Sequence, residues 1–267
     1  MKKISVLLVM CIALIVTACN NEDSEKETKI CNSYNLIGQL HNRGLDYVFN
    51  NPTRGQGDGE LTENEFEELC MGYAQQVLQE EEALDISSYY QANIEQEMHS
   101  AYESAMDWAE DDLNEVEEIN VSDFIDSLDV NNAVKNEIHE ILSNIETLRD
   151  RFLPIYISNK ENEICMSPNY DDVEKAMILS VISIGKYSAD YWEDPIHYGG
   201  LSKRKVIKAD AAGAVRGLWK GRLVIGFCSM VGGPASGGAA ALRYALLESF
   251  MASAVYAFVE SRVENGN

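Results

Sequence analysis

A few short stretches of the chain bring together side chains that could do chemistry. Residues 54–66 read RGQGDGELTENEF. Gly59 suits the sharp turn of a calcium loop, Leu61 its short β contact, and Glu65 the terminal bidentate ligand. Arg54 and Gln56 stand where the first two ligands belong, and a cation in the first position repels calcium. A glycine-rich loop leading into a capped helix is therefore the favoured reading, with Asp58 and Glu65 the only residues there left to touch a metal. His139-Glu140 begins like the zinc-protease pair on a helix, but the second histidine that zinc requires is Ser143. Glu95 and His99 lie one turn apart and read as an exposed pair, whereas His41 lies on an apolar face and reads as a core histidine. His197 has no partner in view. Cys228 and Ser229 sit in GFCSMVGG, which lacks the strand-to-helix elbow of a serine hydrolase. The run GGPASGG, 232–238, lacks the lysine and hydroxyl of a phosphate loop and reads as a hairpin turn. No catalytic residue and no cofactor follows from these stretches.

The most specific chemistry is at the start. Lys2 and Lys3 precede an apolar run, Ile4–Val16, too short to span a bilayer comfortably. Small residues Thr17 and Ala18 then precede Cys19, the layout of a secretory signal. The quartet Val16-Thr17-Ala18-Cys19 resembles a bacterial lipobox, which implies cleavage before Cys19 and acyl chains on its sulfur and new amino group. Several acyl chains, at about 0.8 kcal/mol per buried methylene, give stable anchoring. Residues 1–18 are thus expected to be a signal peptide and 19–33 a polar, acidic tether. Asn20 is not the aspartate of inner-membrane retention, so the outer membrane is favoured. The acidic cluster Glu22, Asp23, Glu25 and Glu27 resembles the export signal of surface lipoproteins in the Bacteroidota, the alternative being a spacer on the periplasmic side.

Composition narrows the partners. The chain has 21 basic and 44 acidic residues, net −23, and loss of Lys2 and Lys3 takes the mature chain to −25. Such a charge argues against nucleic acid and against attraction to anionic lipid. An apolar fraction of 46% excludes wholesale disorder, and the length beyond the tether suffices for one large core or two small ones. Cys31, Cys70, Cys165 and Cys228 remain after processing, at spacings that match no zinc site. Disulfides and buried free thiols both remain open.

The elements that must position these residues are helices. Ile37, Leu40, Leu45 and Val48 fall on one face over 35–49. Thr62 and Glu65 form a capping box before the stripe Phe66, Leu69, Cys70, Tyr73, Val77 and Leu78. Spacing predicts a long helix from Ser87 to Ile119, a short one capped by Ser122, and one from Asn131 or Asn132 through Phe152, stopped by Pro154. Residues 159–168 read as a polar loop between the regions 34–158 and 168–264, which together are expected to make one domain. Asp171 and Asp172 then open a helix that is apolar all round from Ala176 to Gly185, a core element. The basic run Lys203, Arg204, Lys205 and Lys208 either faces the acidic helices or stays solvated.

Two final helices, about 208–231 and 237–262, complete the chain. Gly213, Gly217 and Gly221 recur every four residues, so they share one helical face, although each costs a helix interior about 1 kcal/mol relative to alanine. A face without side chains lets a partner helix approach closely, and dispersion offsets the propensity cost. Ala239–Ala241, Ala245, Ser249, Ser253 and Ala257 offer the matching surface. The fold class that follows is all-α: a multi-helix bundle around a buried C-terminal glycine-zipper hairpin.

The stretches NLIGQLHNRGLDYV and ADAAGAVRGLWKG together resemble uncharacterised Bacteroidota lipoproteins with a similar early segment and a late alanine–glycine zipper. The resemblance implies a surface or periplasmic lipoprotein and carries over no functional residue. The first expectation is a lipid-anchored helical domain with a non-enzymatic binding role toward an unknown protein or small ligand. A membrane-active, bacteriocin-like module using the hairpin is the alternative, opposed by Lys220, Arg222, Arg243 and Glu248 within its helices. A hydrolase without a recognisable motif is the third, and a deep polar pocket would favour it.

Overall fold

The computed structural model describes residues 34–50, 61–91, 93–113, 121–148, 152–193 and 203–264. Cys19, Asp58, Arg54 and His197 lie outside the described residues. Nine α-helices, and no strand, occur among the described residues. They are α1 (34–49), α2 (Glu63–Glu80), α3 (Ile94–Leu113), α4 (Val121–Asp126), α5 (Asn132–Thr147), α6 (Leu153–Met166), α7 (Asp172–Tyr191), α8 (Lys203–Gly232) and α9 (Pro234–Glu264).

Local chemistry sets most of their starts. Thr62 and Glu65 form the capping box of α2, Asn131 caps α5, and Asp171 with Glu174 caps α7. Between α8 and α9 the chain reverses at one residue, Gly233, whose φ of 82° is left-handed. Pro234 follows in the first turn of α9, where its missing N–H costs nothing.

Several boundaries differ from the sequence expectation. The third helix starts at Ile94 rather than Ser87, because Asp85 accepts from the Ser87 backbone in a turn and Asn93 caps Gln96. Ser122 lies inside α4 rather than capping it. The helix expected to run through Phe152 closes at Thr147, and Phe152 is exposed at the entry to α6. Pro154 opens α6 instead of ending a helix. Residues 159–166, read as a loop, are helical; Lys160 is buried there among Glu137, Glu140 and Glu163, so its polarity reflects an ion network and not exposure.

The last two helices are the centre of the bundle. α9 packs along α8 and against α3 and α7, while α4, α5 and α7 also lie against α8. Residues of every helix from α1 to α9 join one contiguous core.

Candidate functional site

The glycine face of α8 meets α9 backbone to backbone. A Cβ at Gly217 would intrude on the carbonyl oxygen of Tyr244 and lie 2.6 Å from its carbonyl carbon. At Gly213 it would lie 2.8 Å from Cα of Ser249 and 2.9 Å from the Glu248 oxygen. Gly221 backs onto the Tyr244 ring. Ala245 and Ser249 therefore take the positions read from sequence, while Ser253 turns elsewhere, toward a buried carboxylate.

Beside the glycines runs a row of buried charge. Nε of Arg216 lies 2.8 Å from Oε2 of Glu248, and Nζ of Lys220 lies 2.9 Å from Oε1 of the same carboxylate. α3 completes their coordination: Arg216 donates to the Ser104 carbonyl and covers the Trp108 ring, and Lys220 donates to the Ser104 hydroxyl. One turn toward the hairpin end, Arg243 pairs with Glu97 of α3 at 2.9 Å, and the Tyr244 hydroxyl donates to that carboxylate. Lys220, Arg243 and, through Arg216, Glu248 thus join α8 and α9 to α3, whereas Arg222 stays within α8, donating to the Trp219 carbonyl and covering its ring. Glu97 and Ser104 were not legible as partners, because their spacing places them at the edge of the acidic face of α3.

A second buried polar cluster joins four elements. Nε2 of His41 (α1) lies 3.6 Å from Oδ2 of Asp210 (α8), and both side chains are fully buried. Trp192, following α7, donates its indole N–H to Asp210 at 3.4 Å. Ser188 (α7) and Ser253 (α9) lie beside the carboxylate without reaching regular hydrogen-bond geometry. Burial pushes the Asp210 carboxyl above its ordinary range, against the opposing pull of His41 and of these donors. Histidine, aspartate and serine are the makings of a hydrolytic relay, but all four side chains are closed to solvent, so no substrate reaches them. The cluster acts as a polar knot: Asn42 continues it by donating to the Tyr187 carbonyl.

The other residues singled out from sequence have structural partners. Glu65 accepts from the backbone and hydroxyl of Thr62, which occupies the carboxylate read as a metal ligand. His99 pairs with Glu67 of α2 rather than Glu95, and His139 with Asp126. Lys208 reaches Glu146 of α5, so the basic run does face an acidic helix there. Cys70 and Cys228 are buried free thiols, and burial raises both. Cys165 is disulfide-bonded.

One surface stands apart. Leu223, Phe227, Met230 and Val231 project from the last turns of α8 and are exposed, Met230 by 82%. Tyr89 is exposed next to them, backed by Gly232, and Tyr90 meets Phe227 edge to face. No residue from 223 to 242 is charged, nor any from 86 to 91. Contiguous exposed apolar residues of this kind mark an interaction surface.

Comparison with family models, curated proteins and solved structures gives no match.

Proposed function

We propose that this chain is a lipid-anchored protein of the bacterial cell envelope whose helical domain works by contact rather than by catalysis. The observation that carries the reading is the quartet Val16-Thr17-Ala18-Cys19 after a short basic and apolar leader, followed by the polar stretch 20–29. Asn20 favours the outer membrane, and the acidic cluster after it favours the outer face. A disulfide at Cys165 fits an exported chain, since cysteines stay reduced in the cytoplasm. Sealing of the His41–Asp210 cluster and exposure of the uncharged hairpin end favour binding over chemistry.

The test is replacement of Cys19 by serine. Wild-type chain should fractionate with membranes and carry acyl mass on its N-terminal peptide, and the Cys19→Ser chain should be released. Equal membrane recovery of both overturns the anchor. Protease treatment of intact cells separates the surface from the periplasmic face.

A second reading, a membrane-active hairpin, draws on α9, which is long and apolar enough to cross a bilayer. It requires α9 to leave the bundle, since 94% of its apolar window is buried, and to break the pairs Arg243–Glu97 and Arg216–Glu248. Dye release from liposomes by the Cys19→Ser chain is its test.

A further inference from the structure

We propose that the uncharged end of the α8–α9 hairpin rests on the lipid surface that holds the acyl anchor, so that the domain stands end-on with α8 and α9 pointing into the membrane face. This rests on the anchored reading above and adds an orientation to it. Three observations carry it.

The first is the character of the surface. Leu223, Phe227, Met230 and Val231 recur at helical spacing on one exposed face of α8, and Tyr89 flanks them. The face lacks charge from Leu223 through Gly232, and so does the turn into α9. An apolar face of limited depth with aromatic residues at its edge suits the boundary between headgroups and acyl chains.

The second is the contrast with the rest of the molecule. A chain of net −23 is repelled by anionic lipid. The start of α8 carries Lys203, Arg204, Lys205 and Lys208, the last tied to Glu146. Among the described residues, the hairpin end gathers more exposed apolar side chains than the start of α6, where Phe152 and Ile155 are also exposed with no charge between them.

The third is where the tether enters. Ser183 donates to the carbonyl of Tyr34, fixing the first described residue against the middle of α7. Val173 of the same helix packs beside Gly237 at the hairpin end. The interval from Ser183 to Val173 is about 15 Å along α7. Residues 20–33, when extended, span up to about 50 Å. The anchor at Cys19 and the hairpin end can therefore meet one bilayer without straining the chain.

The experiment uses the full chain purified from membranes and returned to vesicles of phosphatidylcholine with brominated acyl chains. Tryptophan is introduced at Met230, or as a control at Lys205, about 37 Å back along α8. Quenching is read as the difference from wild type, which contains Trp108, Trp192 and Trp219. The added signal of Met230→Trp should be largely lost in brominated vesicles and that of Lys205→Trp retained. Equal quenching of the two, or none at either, overturns the proposal. So does a dimer in sedimentation that Met230→Asp dissolves, because a second copy would then cover the face. The mass of the purified chain reports the acyl groups separately, so failure of the anchor and failure of the orientation are distinguishable.

Discussion

Nε of Arg216 and Oε2 of Glu248 stand 2.8 Å apart on α8 and α9, and neither side chain reaches solvent to any useful extent. The carboxylate also pairs with Lys220, so one negative charge serves two cations. Glu248→Ala should therefore destabilise by about 3–5 kcal/mol, because it strands buried charge. Replacing Glu248 and Arg216 together by leucine and methionine should recover most of that loss. Denaturant unfolding of both variants checks it, and a double variant as unstable as the single one contradicts the pairing.

Two glycines of α8 should respond in opposite directions. Alanine at Gly217 drives a methyl group into the backbone of Tyr244 and should cost about 1–3 kcal/mol, with leucine worse. Gly226 lies in the same helix with open space around it, so alanine there should gain about 0.5–1 kcal/mol. Melting temperatures of the two variants, measured side by side, decide whether close approach or mere helix propensity governs the hairpin.

Asp210 gives a pH dependence with a definite sign. Its folded carboxyl titrates above the ordinary aspartate value because of burial, so the folded state holds that proton more tightly than the unfolded chain does. The stability this proton supplies is complete below the unfolded value of about 3.9 and is lost as pH rises through the raised folded value. Relative to Asp210→Asn, wild type should lose stability as pH is raised from about 4 toward neutrality. A difference that is flat, or that grows the other way, refutes the assignment.

Glu65 behaves oppositely. Hydrogen bonds from the backbone and then the hydroxyl of Thr62 hold its carboxyl below the usual range, so its contribution is present above the unfolded value and lost as pH falls. Glutamine can serve in the same cap. Glu65→Gln should keep α2 intact, and calorimetric titration with calcium should show no tight site in either chain. A micromolar heat that Glu65→Gln abolishes would restore the calcium loop.

Most helix faces were legible where apolar residues recur at threes and fours: Ile37, Leu40, Leu45 and Val48 are all buried, as are Val134, Ile138, Ile141 and Ile145, although Phe152, expected to close the latter series, is exposed. Caps with a side chain that outcompetes water, Thr62 and Asn131, were legible too, while Asp171, read as a first-turn residue, is the cap of α7. The start of α3 was not, since Ser87 belongs to a turn made by Asp85, a contact that periodicity does not encode. Residues 159–166 were missed because polarity was taken for exposure, whereas Lys160 is polar and buried. The spacing of the glycines exposed the hairpin contact, but the charged row beside it depends on α3, over a hundred residues away, and no local pattern pairs Arg243 with Glu97.

That separation governs how the chain can be made. Arg243 and Glu97 are 146 positions apart, Arg216 and Ser104 112, and Ser183 and Tyr34 149. Synthesis delivers α1, α2 and α3 first and the hairpin that fills the space between them last. Until then α2 and α3, and α6 and α7, can pack on one another, but the faces turned toward α8 and α9 have nothing to close upon, and a helical protein with such distant contacts folds late and slowly for its class. A stop codon ahead of α8 would accordingly remove more than the hairpin: it would leave the earlier helices without a centre, as a substrate for quality-control proteases.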